Sequence, residues 1–257
     1  MAVERKKSDI DWLHTLRFNE FSAVKQFLPT SKEAKVLEIG SGTGYLLNLL
    51  GQLFDSVNGL EVESSAYNSS DSRISIYDGE KMPFDDASFD VIFSCHVIEH
   101  VEDFAVFCDE TRRVLKPNGT IIHIAPSSTW RLFTTIFHYL HLASLPFRIF
   151  LTKDRSISQR SSSNYPTFKD KIFYVCMAPR HGLTGNRISE VYYFSRKYWI
   201  KKFKDNQLPN VGVHSTKILY WGHDVIKFLM PVKFRKTLSL IFGSSSNIFV
   251  IKPEQSI

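Results

Sequence analysis

Cysteine is scarce: 257 residues hold three, Cys95, Cys108 and Cys176, at spacings that form neither a disulfide framework nor a thiolate metal motif. That excludes a disulfide-stapled secreted fold and makes the cytoplasm, a reducing compartment, the expected location. Uninterrupted apolar runs of membrane-spanning length are also missing. The most apolar stretch, residues 130–151, is broken by Arg131, His138, His141, Arg148 and Pro146, so a helix lying as a lid or along a surface is expected rather than a span. The first eleven residues are charged throughout and lack the apolar centre of a secretion signal, so none is expected. No Gly-Lys-Ser/Thr ending marks a phosphate loop, no serine elbow marks a nucleophilic triad, and no internal repeat or nucleic-acid motif is present. Acids are sparse in one half only. Residues 127–257 carry 6 Asp/Glu against 20 Lys/Arg, net +14, whereas residues 1–126 carry 20 against 12, net −8. The basic half also holds 22 of the 35 aromatic residues. Such asymmetry points to an anionic partner, or else to a solvated basic face around an ordinary core.

What is present begins at Val36-Leu37-Glu38-Ile39-Gly40-Ser41-Gly42-Thr43-Gly44-Tyr45-Leu46-Leu47. A short apolar run, three alternating glycines and an apolar-periodic segment read as strand, tight turn and helix. Glycines there allow positive φ and close approach of a ligand to the backbone, and the following helix offers free N–H groups. A nucleotide-like cofactor is the natural occupant. The spacing is Gly-x-Gly-x-Gly, not the dinucleotide Gly-x-Gly-x-x-Gly. Ser56–Val62 reads as a second strand carrying Glu61 near its end, where a carboxylate can accept both hydroxyls of a ribose. Arg73–Gly79 reads as a third strand ending in Asp78, placed to accept from an exocyclic amine. Residues 82–92 lead into a fourth strand, and Val114–Ile122 closes a helix, turns at Pro117-Asn118-Gly119 and starts a fifth. Strands alternating with helices indicate a parallel sheet covered on both faces, with ligands beyond the carboxyl ends of the strands.

These segments resemble the class I S-adenosylmethionine-dependent methyltransferases, in particular the group that includes the quinone-biosynthesis methyltransferases. The resemblance rests on Leu37–Gly44, Gly59-Leu60-Glu61, Asp78-Gly79 with Met82-Pro83-Phe84, Ser88-Phe89-Asp90, Ile98-Glu99-His100-Val101 and Arg113–Gly119, and covers residues 34–127. Glu61 is a departure, since the family more often has Asp there. The resemblance implies a doubly wound, seven-stranded, mostly parallel α/β sheet of Rossmann-like form, with a helical insertion after strand five and a late strand inserted antiparallel. It implies S-adenosyl-L-methionine as cofactor: Gly40, Gly42 and Gly44 along the methionine end and sugar, Glu61 on the ribose, Asp78 with Gly79 on the adenine. Glu38, Ser41 and Ser94 complete the expected cofactor-binding set, and Cys95 and His96 would lie near the transferring methyl.

The organisation expected is an N-terminal helical segment (1–33), the cofactor core (34–127), a helical and loop insertion for acceptor recognition (128–205) and final strands with an amphipathic helix (206–257). Ser195 is placed to cap a helix over 196–204, Val211–Trp221 reads as a sixth strand, His223–Phe242 as a helix broken at Pro231, and Asn247–Ile251 as the last strand. Residues 152–166 read as a polar, Ser-rich loop. Methyl transfer needs alignment and, for a hydroxyl acceptor, a base; histidine suits that role. His181, His100 and His96 are the candidates, while His123, inside the fifth strand, reads as a core group. His96, Glu99 and His100 would share one face of a helix and could hold a metal, but a turn there need not be helical, and no metal is expected. The expected acceptor is an anionic or amphiphilic small molecule, glycan or lipid, with O-methylation favoured over C-methylation of a quinone or lipid. No nucleic-acid partner is expected; contact with the inner face of an anionic membrane is the alternative to a lid or core-packing role for residues 130–151. The reading from another class is a cofactor-binding regulatory module that performs no transfer.

Overall fold

The computed structural model describes residues 7–65, 69–152, 180–186, 188–222 and 230–253. The Ser-rich stretch 152–166 beyond Thr152, Cys176 and the first residues of the helix expected from His223 lie outside them. Helix α1 (Lys7–Val24) and a 3-10 turn (Lys25–Phe27) precede strand β1 (Lys35–Ile39), helix α2 (Tyr45–Gly51), β2 (Ser56–Val62), β3 (Ile74–Tyr77) and β4 (Phe89–Cys95). A 3-10 turn (Ile98–His100), α3 (Phe104–Val114) and β5 (Leu115–Pro126) follow. Then come α4 (Ser128–Thr152), α5 (Glu190–Tyr193), α6 (Arg196–Asp205), β6 (Val211–Ser215), α7 (Val232–Phe242) and β7 (Ser246–Ile251).

The strands form one sheet in the order β3-β2-β1-β4-β5-β7-β6. The first five are parallel, and β7 is antiparallel to both β5 and β6. Central strands are mostly apolar because both faces are covered. Successive residues then feed opposite cores: Leu37, Ile121 and Phe249 pack with Phe107 and Trp199, whereas Val36, Ile122 and Ile248 pack with Leu47 and Phe93. The expected turn at Pro117-Asn118-Gly119 is a large bulge within β5, which pairs Phe89 with Leu115 and then Val91 with Thr120. Chain order reverses at β1, whose neighbours are β2 and β4, and that switch point opens a crevice at the carboxyl ends.

One expectation is corrected. Strand β6 stops at Ser215 instead of Trp221. Lys217 adopts φ +54°, and beyond it the backbone is held by a serine run rather than a ladder: Tyr220 N–H donates to Ser245 Oγ at 2.7 Å and Ser245 N–H to the Ile218 carbonyl at 2.9 Å. Helix α4 runs unbroken through Pro146 to Thr152, and no helix among the described residues is long and apolar enough to cross a membrane. Arg131, Thr134 and His138 are buried, and Leu132, Ile136, Tyr139 and Leu140 are exposed.

His123 is a core group, as its place in β5 suggested. Its Nδ1 lies 2.7 Å from Ser94 Oγ and its ring stacks on Phe203 at 5.7 Å. Burial pushes its pKa down to about 3. The unfolded chain takes up a proton near pH 6.5 that the folded chain refuses, so this residue's contribution is complete above that pH and is lost as pH falls toward about 3. His123→Gln is therefore expected to remove up to ~1.4 kcal/mol per pH unit from the slope of stability between about pH 6.5 and 4.5. Urea titrations at several pH values measure that slope, and an unchanged slope would exclude His123 as its source.

Candidate active site

A crevice of about 1340 Å³ lies over the carboxyl ends of β1, β2 and β4. Its floor is the turn after β1, where Gly40, Gly42 and Gly44 have φ of +74°, +52° and +78°. A Cβ on Gly40 would stand 2.3 Å from Val97 Cγ2, so only glycine lets the segment after β4 pack here. Gly40 and Ser41 N–H groups donate to the Leu60 carbonyl at 2.8 and 3.2 Å, which fastens the turn to β2. Glu61, also buried, completes the fastening: Gly42 N–H donates to its Oε2 at 2.7 Å and Val62 N–H to its Oε1 at 3.0 Å. Asp78 is exposed at the rim, and Glu80 and Lys81 N–H groups donate to its Oδ1, which lowers its pKa.

Glu38, Gly40, Ser41, Gly42, Glu61, Asp78 and Gly79 all line this crevice; Gly44 and Ser94 do not. Gly44 stands behind the turn as the N-cap of α2. Ser94 is fully buried and its hydroxyl is engaged by His123, which corrects its assignment to the cofactor. The fit of a sulfonium nucleoside rests on charge. Eight Asp/Glu residues line the crevice against one Lys/Arg, Arg17, among its described lining. Glu38 is 1% exposed with Oε2 unpartnered, and burial, reinforced by Glu61, pushes its pKa well above the usual carboxylate range. A cation arriving there would relieve both conditions, and S-adenosylmethionine carries one net positive charge. Glu38, Glu61 and Asp78 would hold it.

The opposite end is built from four histidine and glutamate side chains. His96, which adopts φ +57°, His100 and His181 line the crevice, so all three base candidates meet. Glu99 Oε1 stands 3.5 Å from His96 Nδ1, 3.6 Å from His181 Nε2 and 3.9 Å from His100 Nε2. Burial would raise the pKa of Glu99, but the imidazoles around it hold it below the usual range. His96 Nε2 faces Glu20 Oε1 at 3.1 Å, and the carboxylates outweigh burial to raise the His96 pKa. Burial lowers that of His100. The loop carrying His181 is fixed by Glu190, whose Oε1 accepts from His181 and Gly182 N–H at 2.9 and 3.0 Å and whose Oε2 is 3.1 Å from Arg131 Nε. Trp12, Trp130, Tyr220 and Trp221 add an aromatic wall.

Sequence reasoning missed Arg17, Trp12 and Tyr220 because they come from the first helix and from beyond β6, with no local motif to mark them. Glu20 was missed too. It accepts from Arg17 at 2.5 Å, Tyr220 at 2.7 Å and Ser246 at 2.5 Å, and it carries no signal beyond being one of three acids on a helix.

Residues 37–123 match the family described as a methyltransferase domain. A probable S-adenosylmethionine-dependent methyltransferase of Mycolicibacterium smegmatis is 35% identical over 97 residues, 36% of this chain and 38% of that one. A ubiquinone biosynthesis O-methyltransferase of Bartonella tribocorum is 26% identical over 154 residues, 54% of this chain and 62% of that one. The matches thus span less than two thirds of either relative. A chain of the Haloferax volcanii complex of the Trm112 methyltransferase activator with a protein described as a methyltransferase shares the fold, with a TM-score of 0.52 at 17% identity, covering 96% of this chain and 92% of that one. Glycine turn, strand-end acids, sheet order and family match converge: residues 37–123 are a class I S-adenosylmethionine-dependent methyltransferase domain.

Proposed function

We propose that the chain transfers a methyl group from S-adenosylmethionine to an oxygen of an amphiphilic small-molecule acceptor at the histidine end of the crevice. The observation that carries this reading is one continuous crevice with cofactor-type acids at one end and histidines under an aromatic wall at the other. At about 1340 Å³ it exceeds the ~300–1,000 Å³ of a typical single-ligand site. The cofactor, when bound, supplies a methyl on a sulfonium, which is a good leaving group. Glu61 and Asp78 hold and orient it, and the tryptophans exclude water from the acceptor. His100 takes the hydroxyl proton: its ring is on the crevice, whereas both nitrogens of His96 already face carboxylates. The name of the Bartonella relative supports oxygen as the acceptor atom.

The location of the basic residues argues for an uncharged, amphiphilic acceptor over an anionic one. Arg131 pairs with Glu190, Arg180 donates to the Gly182 and Leu183 carbonyls, and Arg235 lies over the Trp12 and Trp221 rings at 4.6 and 5.4 Å. The exposed apolar side chains of α4 continue onto Leu240, Ile241 and Phe242 of α7, where Phe133 meets Phe242 at 5.6 Å and Lys233 and Lys236 are exposed. That surface supports contact with an anionic bilayer from which such an acceptor would be drawn.

Incubation with methyl-labelled cofactor and fractionated extract is expected to label a lipid or hydroxylated small molecule, and His100→Ala to slow labelling by about 10²–10⁴-fold. Cofactor binding with no label in any fraction would leave a binding module instead. Vesicles of anionic lipid are expected to sediment the protein at low salt and release it at high salt; no sedimentation at low salt would remove the bilayer.

A further inference from the structure

We infer that His96 Nδ1, Glu99 Oε1 and His181 Nε2 form a binding site for a divalent transition-metal ion, for which zinc suits the donor set, with an open position facing the crevice. These atoms lie within 4.8 Å of one another. Glu99 is 1% exposed at its side chain, yet neither of its carboxylate oxygens has a hydrogen-bond partner, and His181 Nε2 has none either. The separations of 3.5 and 3.6 Å between Glu99 Oε1 and the two ring nitrogens exceed N–H···O hydrogen bonds of about 2.7–3.2 Å. They match donors on a tetrahedral ion: bonds of about 2.0–2.2 Å place neighbouring donors about 3.4 Å apart.

The surroundings are those of a built site. His96 presents its other nitrogen to Glu20 at 3.1 Å, the carboxylate partner that orients metal-bound imidazoles. Leu183 N–H donates to the Glu99 carbonyl at 3.0 Å, so the loop bearing His181 is fastened to the turn bearing Glu99. A Cβ on Gly182 would stand 3.3 Å from that same carbonyl, which explains a glycine beside His181. The triad differs from the one that helical spacing would allow: His181, from the insertion, replaces His100, and a metal here departs from the sequence expectation of none. A second cluster, Glu20 with Cys95 and His96, is less suited because Arg17, Tyr220 and Ser246 already occupy the Glu20 carboxylate. Three protein donors with a vacant direction are the arrangement of catalytic rather than structural zinc. A metal there would bind an acceptor hydroxyl and ease its deprotonation; this role rests on the methyl-transfer reading, whereas the site itself does not.

The test uses the full chain, freed of metal by a chelator and titrated with zinc by calorimetry and with cobalt(II) by visible absorption. One equivalent is expected to bind, with cobalt d–d bands in the visible. His181→Ala and Glu99→Gln should each weaken binding by at least about 100-fold, the upper end of what loss of an outer-shell partner costs. S-adenosylmethionine binding by each variant reports that it is folded. Failure of the wild-type chain to bind either ion, or unchanged affinity in folded His181→Ala, overturns the site. Stoichiometric metal without methyl transfer to any acceptor upholds the site and refutes the reaction. Methyl transfer by a metal-free chain that also takes up no metal does the reverse.

Discussion

Glu61→Ala is expected to weaken S-adenosylmethionine binding by about 10- to 150-fold, the equivalent of losing one charged hydrogen bond of about 1.5–3 kcal/mol. Glu61 has two functions that one substitution removes together. Its carboxylate accepts from Gly42 and Val62 N–H groups, fixing the glycine turn against β2, and it faces the crevice where a ribose would lie. Calorimetric titration with the cofactor measures the effect. Affinity within twofold of the parent protein would mean that this crevice end does not bind the sugar.

The second large effect is expected at Glu20. Glu20→Ala leaves the partly buried Arg17 and His96 without their shared, fully buried carboxylate and removes the acceptor of Tyr220 and Ser246, a change of about 3–5 kcal/mol. At about 2–4 °C per kcal/mol for a domain of this size, the melting temperature should fall by about 6–20 °C. Glu20→Gln, which keeps an acceptor for the hydroxyls, should fall between the two. The Glu20 pKa is held below the usual range by His96 and Arg17 against the effect of burial. Its contribution is therefore full above about pH 4.5 and is lost as pH falls below that. A melting point unchanged in Glu20→Ala would mean that α1 does not depend on this network for its seat over the sheet.

Much of the fold is legible because its signals are local. The glycine turn needs positive φ at three alternating positions, and glycine reveals that need directly. The second strand ends where Glu61 and the polar residues after it say it should, and Ser195 caps α6 by accepting from Tyr198 N–H. Where the expectation failed, the deciding partner was distant in sequence. Val211–Trp221 looks like a strand, yet hydroxyls of Ser244 and Ser245 take over the backbone groups beyond Ser215. Ser94 looked like a cofactor contact from its place at the end of β4, but pleating turned its side chain inward onto His123.

Residues 34–127 by themselves determined the five parallel strands, the glycine turn and the acids at the strand ends, because backbone geometry and two-faced burial impose residue types at short, regular spacings. Only the tertiary structure decided how the basic, aromatic half is packed. Arg131, Arg235 and His138 are inside and leucines and phenylalanines outside on α4 and α7, since a buried Glu190 and the faces of two tryptophans offer the arginines better partners than water-facing positions would. The meeting of His96, Glu99 and His181 was likewise decided in three dimensions. A turn after β4 and a loop eighty residues later are brought together by Glu190 and by one backbone hydrogen bond, a convergence that no spacing in the chain encodes.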